Sequence, residues 1–135
     1  MANPNIVNVA SIYGNTAYVI PSSAATATTS WTYNGSTSLT GLTPAANTVN
    51  RVTSITASNT TASAATATIA IGNNATFASA TVVTYPAYQI SVPPNATLVI
   101  IDKTNSVYIT ENQSVAAYSG TASALTFTAT FEAIT

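Results

Sequence analysis

Apolar and polar residues alternate with a period of two along much of the chain. The pattern is clearest near the C-terminal end, where the apolar positions are Leu125, Phe127, Ala129, Phe131 and Ala133. Alternation of this kind places successive side chains on opposite faces of a β-strand, so that one face is buried and the other meets solvent. The sequence therefore predicts a strand over residues 125–134.

Other segments rich in Thr, Val, Ile, Tyr and Phe predict further strands, because β-branched and aromatic residues favour strands. Turn residues separate these segments at intervals of about 8–12 positions, which is the spacing of a sandwich or a barrel. Turns are predicted at residues 13–15 and 72–74, and a loop over residues 39–47. The predicted strands are 16–20, 49–57, 63–71, 76–84, 88–92, 96–101, 107–110 and 114–118.

Two of these strands carry patterns that bear on the surface. Strict alternation over residues 49–57 would place Arg51 and Ile55 on one face and Val52 on the other. The run from Leu98 to Ile101 is apolar on both faces. A run of that kind favours a strand that is buried on both sides or covered by a partner.

Helical spacing of apolar residues is absent, and no repeat of fixed period emerges. We therefore predict an all-β fold. The expected architecture is an antiparallel, jelly-roll-like β-sandwich over residues 13–135, preceded by an extended N-terminal arm over residues 1–12. The N-terminal residues lack the basic start and apolar run of a signal peptide, so we expect the chain to fold without secretion.

Charge is scarce, and this narrows the possible chemistry. Only 4% of the residues are charged, and the chain contains neither His nor Cys, whereas an average domain is about 25% charged. Thiol and imidazole catalysis, disulfides and Cys/His zinc sites are thereby excluded. We expect no enzymatic activity, no cofactor and no metal. The charged residues are Arg51, Asp102, Lys103, Glu111 and Glu132.

The few charges also argue against several classes of partner. Two cations cannot neutralise a polyphosphate backbone, so we expect no nucleic-acid binding. No polybasic patch or 18-residue apolar stretch indicates a membrane. Asp102 and Glu111 flank a predicted hairpin, and we interpret them as solvated charges at strand ends rather than as a catalytic pair.

A surface made soluble by hydroxyls and amides rather than by charge is prone to associate. Arg51 could anchor a partner carboxylate, or its stem could cover apolar surface within the chain. The aromatic residues Trp31, Tyr33, Tyr85 and Tyr88 suit core or interface packing, with a carbohydrate platform as the alternative. The residues that we predict to contact a partner are Ile6, Val7, Val9, Ile12, Tyr13 and Arg51.

Three stretches of the sequence resemble small structural proteins of tailed phages, particularly phages of cyanobacteria and marine bacteria. The stretches are MANPNIVNV with IYGNTA (residues 1–9 and 12–17), ISVPPNATLVIIDK (90–103), and VYITE (107–111) with FEAI (131–134). Residues 21–48 match little. At residues 111–113 the Glu-Gly-Asp turn of such proteins is replaced by Glu-Asn-Gln.

The resemblance implies a non-enzymatic virion protein, specifically a capsid decoration (cement) protein. Its expected partners are the major capsid protein and further copies of itself, with a trimer as one arrangement. The expected location is the capsid surface, after synthesis in the host cytoplasm. The alternatives are a tail, neck or fibre component and a glycan-binding module that uses Trp31 and nearby tyrosines.

Overall fold

The computed structural model describes residues 9–33 and 35–135. These residues contain no α-helix and form two antiparallel sheets, so the prediction of an all-β chain is confirmed. A 3-10 turn over Phe77–Ser79 precedes the sixth strand. The strands are β1 (Ile12–Val19), β2 (Ser30–Tyr33), β3 (Thr37–Thr40), β4 (Val49–Asn59), β5 (Ala65–Gly72), β6 (Val82–Val92), β7 (Thr97–Ile101), β8 (Val107–Ile109), β9 (Ser114–Ser119) and β10 (Leu125–Ile134).

The larger sheet has seven strands in the order β3-β2-β1-β10-β4-β7, with β8 also paired to β4. Strands β7 and β8 lie end to end along the same edge of β4, because Ile55 pairs with Ile101 and Val52 with Val107. Strand β10 lies in the middle of the sheet, between β1 and β4. Strand β10 therefore joins one half of the sheet, made of β1, β2 and β3, to the other half, made of β4, β7 and β8.

The smaller sheet has three strands in the order β6-β5-β9. The outer edge of β9 is covered by two loop segments rather than by a further strand. Thr28 and Ala117 exchange both of their backbone hydrogen bonds, and the Val115 N–H donates to the Gly41 carbonyl. The backbone groups along this edge are therefore paired, although the neighbouring segments are too short to form strands.

The inner faces of the two sheets share one hydrophobic core, which gives the molecule a sandwich-like architecture. Among the described residues, no buried side-chain nitrogen or oxygen lacks a hydrogen-bond partner. Alanine supplies many of the buried positions, so a few large side chains fill most of the volume. The largest fully buried hydrophobic side chains are Trp31, Phe127, Leu42, Ile55, Ile69, Ile101, Ile109 and Leu125.

The predicted turn at residues 13–15 is wrong, because these residues lie inside β1. Tyr13, Gly14 and Asn15 pair in sequence with Ala133, Glu132 and Phe131 of β10. Local turn propensity is weak compared with a continuous ladder of backbone hydrogen bonds to a strand that is distant in sequence. That ladder extends β1 to eight residues.

The predicted assignment of side chains to the two faces of β4 is also wrong in the first half of the strand. The pairing with β10 shifts register, with Ser54 opposite Thr130 but Val52 opposite Phe131. The extra residue, Thr53, makes a bulge and reverses which residues face the core. Consequently Val52 and Ile55 are both fully buried, whereas Arg51 lies on the outer face of the sheet.

The two predicted strands over residues 76–84 and 88–92 differ from the structure. Residues 76–81 form a turn, and a single strand, β6, runs from Val82 to Val92. Pro86 lies inside this strand without breaking it. A proline is tolerated there because β6 is the edge strand of its sheet, where an N–H group is not required on the outer side.

Candidate interaction surfaces

The predicted partner residues fall into three groups. Ile6 and Val7 lie outside the described residues. Val9 is half-buried, whereas Ile12 and Tyr13 expose 58% and 65% of their surface. Arg51 is half-buried on the outer face of the larger sheet. Ile12, Tyr13 and Arg51 all belong to the β1 and β4 end of that sheet, which is the end from which the predicted arm departs.

The described end of the predicted arm is tied to the C-terminal residue. The backbone N–H groups of Ala10 and Ser11 both donate to the Thr135 carbonyl, at 2.7 and 3.3 Å. The Thr135 N–H donates in return to the Ser11 carbonyl, and the two hydroxyls lie 2.6 Å apart. These bonds continue the β1–β10 ladder beyond Ile12, so the two termini of the described chain leave the sheet side by side.

Large apolar side chains are exposed along β1 and directly after it. Ile12, Tyr13 and Tyr18 belong to the strand, and Ile20 follows it. Their neighbours Ala17 and Val19 face the core. Side chains alternate along the strand, so Ile12, Tyr18 and Ile20 fall on the outer face of the sheet, whereas Tyr13 falls on the face of Ala17 and Val19. Exposed apolar side chains that share one face are candidates for an interaction surface. The three outer-face side chains, Ile12, Tyr18 and Ile20, are called the β1 patch below.

Arg51 is paired within the chain. Its Nη1 lies 3.4 Å from Glu132 Oε2, on the neighbouring strand, and its Nε donates to Ser106 Oγ at 3.4 Å. Both partners of this ion pair keep more than a third of their side chain exposed. A pair so exposed is worth about 0–1 kcal/mol. Arg51 and Glu132 can therefore exchange their mutual contact for a partner's charge at little cost.

The outer face of the larger sheet is lined by hydroxyls. One row of cross-strand neighbours runs across six strands and consists of Ser38, Thr32, Tyr18, Thr128, Thr56 and Val99. The charges outside the Arg51–Glu132 pair lie in loops, at Asp102, Lys103 and Glu111. Apart from that pair, the described strands of this sheet therefore carry no formal charge. The face can approach another neutral surface without desolvating an ion.

The expected hairpin between Asp102 and Glu111 is wrong, because β7 and β8 are collinear rather than paired with each other. The connecting loop is closed by its own side chains: Asp102 Oδ1 accepts from the N–H and the hydroxyl of Thr104. These bonds lower the pKa of the Asp102 carboxyl, and the hydroxyl has the larger effect. Among the described residues, no three acidic, His or Cys side chains come together as a metal site would require.

Trp31 is fully buried, and its Nε1–H donates to the Val115 carbonyl at 3.2 Å. Trp31 thus packs in the core, as its sequence favoured, and its ring is unavailable for the alternative of a carbohydrate platform. Tyr33 packs partly against the core. Tyr85 and Tyr88 are exposed, and their ring centroids are 5.0 Å apart at an interplanar angle of 68°. Tyr85 and Tyr88 line a cleft on the smaller sheet together with Tyr118 and Gln89, two residues that the sequence pattern did not single out.

Comparison with models of protein families finds no match, and comparisons with curated proteins and with solved structures likewise find none. None of the helical structure in the described residues has the length and apolar character needed to cross a bilayer. The surfaces of this chain and its sequence resemblance to structural proteins of tailed phages are therefore the basis for a proposed function.

Proposed function

We propose that the protein is a non-enzymatic structural component of a phage virion, a capsid decoration protein that binds the major capsid protein and stabilises the head shell. The observation that carries this proposal is the β1 patch. It presents three large exposed apolar side chains along the strand that follows the predicted arm, on a sheet whose strands carry almost no charge. Burial of such a surface supplies roughly 25 cal/mol per Å² without requiring an ion pair.

The proposed topology is a jelly roll, in which eight strands form two four-stranded sheets. Support comes from the order β1-β10-β4-β7 in one sheet and from β6-β5-β9 followed by the segment at Thr28 in the other. In this assignment β7 and β8 count as one interrupted strand, and the β2–β3 hairpin is an addition at the edge. Jelly rolls occur in viral capsid and lectin domains, but fold alone does not define function.

The remaining parts of the proposal follow from the same surface. The part of the predicted arm that precedes Ala10 would extend onto a capsid subunit or a neighbouring copy, with Ile6, Val7 and Val9 as its apolar contacts. Self-association as a trimer would place three β1 patches around one axis. Arg51 would offer its charge to a partner carboxylate at the edge of the contact. The location would be the outer surface of the capsid, and a tail, neck or fibre position is the alternative.

A binding experiment with capsids that lack the protein tests this proposal. The full chain is expected to co-sediment with such capsids. Deletion of residues 2–8 is expected to weaken the loading strongly and to leave the sandwich folded. The truncation stops at residue 8 because Ala10 and Ser11 hydrogen-bond to Thr135. Loading of the truncated chain at the level of the full chain would refute the role of the arm.

A pair of substitutions isolates the β1 patch from the arm. Ile12→Ser removes an apolar side chain that is 58% exposed in the patch, and Val83→Ser removes one that is 60% exposed on the other sheet. Because both positions are strand residues of similar exposure, their effects on folding should be alike. We expect only Ile12→Ser to reduce loading. Equal loading of both variants would count against the patch as the capsid contact.

A further inference from the structure

A cleft with a volume of about 260 Å³ opens on the outer face of the smaller sheet. It combines residues of all three strands of that sheet with the loop segment beside β9. The lining residues are Ala25, Thr66, Thr68, Tyr85, Tyr88, Gln89, Tyr118, Ser119 and Gly120. The cleft is on the opposite sheet from the β1 patch, so it is free to act when that patch is occupied.

A β-bulge shapes the cleft. Ala87 pairs with Ile69 and Ile90 with Ala67, so Tyr88 and Gln89 together lie opposite the single residue Thr68. Gln89 has a left-handed backbone with φ of 50°, and its N–H donates to Thr68 Oγ1 at 2.8 Å. Bulges occur preferentially at sheet edges and beside functional sites, where they redirect a side chain. A second register shift in the same pairing sets Tyr85 and Pro86 opposite Ala70, which brings Tyr85 to the face that carries Tyr88.

Three tyrosines form the apolar part of the cleft. The rings of Tyr85 and Tyr88 meet edge to face, with centroids 5.0 Å apart. Tyr118 lies across from them on β9, where partial burial raises the pKa of its hydroxyl and Tyr85 adds to the shift. Gly120 lies close against Thr66 at the adjoining wall, where a Cβ would collide with Thr66 Oγ1. The cleft thus exposes aromatic rings together with their hydroxyl groups.

The polar part of the cleft is neutral. Thr66 and Gln89 supply an exposed hydroxyl and an exposed amide, whereas the Thr68 and Ser119 hydroxyls are bonded within the chain. None of the described residues that line the cleft carries a formal charge. An anionic or cationic ligand would lose its hydration there without gaining a counter-charge. A nucleotide would bring phosphates that no lining residue neutralises. The ligand that fits is neutral, rich in hydroxyl groups and flat on one face.

We propose that this cleft binds one ring of a neutral saccharide. The C–H face of the sugar would pack on Tyr88 or Tyr85, and its hydroxyls would exchange hydrogen bonds with Gln89, Thr66 and the tyrosine hydroxyls. The volume is slightly below the range of about 300–1,000 Å³ typical of drug-sized ligands, which suits a single ring whose neighbours extend into solvent. The proposal goes beyond the assembly role and does not depend on it.

The test is a glycan array of neutral and acidic saccharides, followed by saturation-transfer NMR with the methyl glycosides of glucose, galactose and mannose, and with glucuronic acid as the charged comparator. We expect binding to neutral glycans only. Tyr88→Ala should weaken it about tenfold or more, which corresponds to about 1.4 kcal/mol. Tyr88→Phe should retain most of the binding, because it keeps the ring.

The matched control is Tyr108→Ala, since Tyr88 and Tyr108 are 57% and 54% exposed but Tyr108 lies on the other sheet. The Tyr108→Ala variant should bind glycans as tightly as the unchanged chain does. The emission of the buried Trp31 reports whether each variant is folded, and Tyr85→Ala provides a second cleft variant if Tyr88→Ala does not fold. The proposal would be overturned by absence of binding to every neutral glycan, by equal loss in Tyr108→Ala, or by a change of oligomeric state in Tyr88→Ala that marks the cleft as a protein interface.

Discussion

Asn59, at the end of β4, holds three parts of the chain together through one buried amide. Its Nδ2 donates to the carbonyls of Ser63 and Val92, at 2.9 and 3.0 Å. Its Oδ1 accepts from the backbone N–H and the hydroxyl of Thr61, at 2.9 and 2.8 Å. The side chain thereby joins β4, the following turn and the end of β6. Removal of the amide takes a hydrogen bond from the Thr61 N–H and from the Val92 carbonyl, whereas the Thr61 hydroxyl still donates to the Ser63 carbonyl.

We predict that Asn59→Ala lowers the free energy of unfolding by about 2–3 kcal/mol, because buried backbone groups lose their hydrogen-bond partner. Urea unfolding followed by the emission of Trp31 measures the change. Asn112→Ala is the control, since Asn112 is exposed in a turn, and its effect should stay within about 0.5 kcal/mol. Equal stability of the two variants would show that the Asn59 network contributes nothing.

Strand β10 has a comparable role at the scale of secondary structure. It pairs with β1 along eight residues and with β4 along ten, and its alternate side chains enter the core. Phe127 is one of the largest fully buried side chains. Because alanine fills many of the other core positions, the neighbouring side chains are too small to move into a space left by this ring.

Phe127→Ala should therefore lower the free energy of unfolding by about 3–5 kcal/mol, through lost burial and the cavity that remains. Phe77→Ala provides the comparison, because Phe77 lies half-buried in the 3-10 turn outside the core. We expect its cost to be clearly smaller. Thermal unfolding followed by circular dichroism measures both, and similar melting temperatures would argue against β10 as the centre of the core.

The elements show where sequence patterns succeed and fail. The alternation over residues 125–134 predicts β10 correctly. It does so because β10 pairs with both of its neighbouring strands in a nearly regular register, so its own alternation is kept. The same pattern fails in β4, since nothing in residues 49–57 reveals the bulge at Thr53. Residues 13–15 carry turn residues, yet the distant β10 recruits them into β1. Local sequence therefore predicts the existence of strands better than their phase or their extent.

The candidate sites were less predictable than the strands. Exposure of Ile12 and Tyr13 agrees with their selection as partner residues, although contact with a partner stays a prediction. For Trp31 the sequence left core packing, interface packing and a carbohydrate platform open, and burial of the ring decides for the core. The tyrosine cleft was not predictable, since it joins Thr66, Tyr88 and Tyr118 across three strands and depends on a bulge.

For the molecule as a whole, the scarcity of charge predicts stability that varies little with pH. Hydrogen bonds from Thr104 lower the folded-state pKa of Asp102, so its contribution is present above the ordinary carboxyl value of 3.8 and is lost as the pH falls towards the lowered value. Burial raises the pKa of Tyr118, so stability declines as the pH rises above the ordinary value of 10.0 and towards the raised one.

Between these limits the chain has no histidine to titrate. We expect the free energy of unfolding to change by less than about 1 kcal/mol from about pH 5 to 9. Added salt should have a similarly small effect, because the partly exposed Arg51–Glu132 pair contributes at most about 1 kcal/mol. Urea unfolding at several pH values and salt concentrations checks both expectations. A steep pH dependence near neutrality would require an ionisable network that the described residues do not contain.

The central proposal is that this chain decorates a phage capsid, and cryo-electron microscopy of purified virions from the source that encodes it tests that proposal most directly. We expect ordered density for the sandwich at repeated junctions of the shell, in hundreds of copies, with the β1 patch against the major capsid protein. Density confined to the neck or tail, or absence of the chain from the particle, would contradict the proposal.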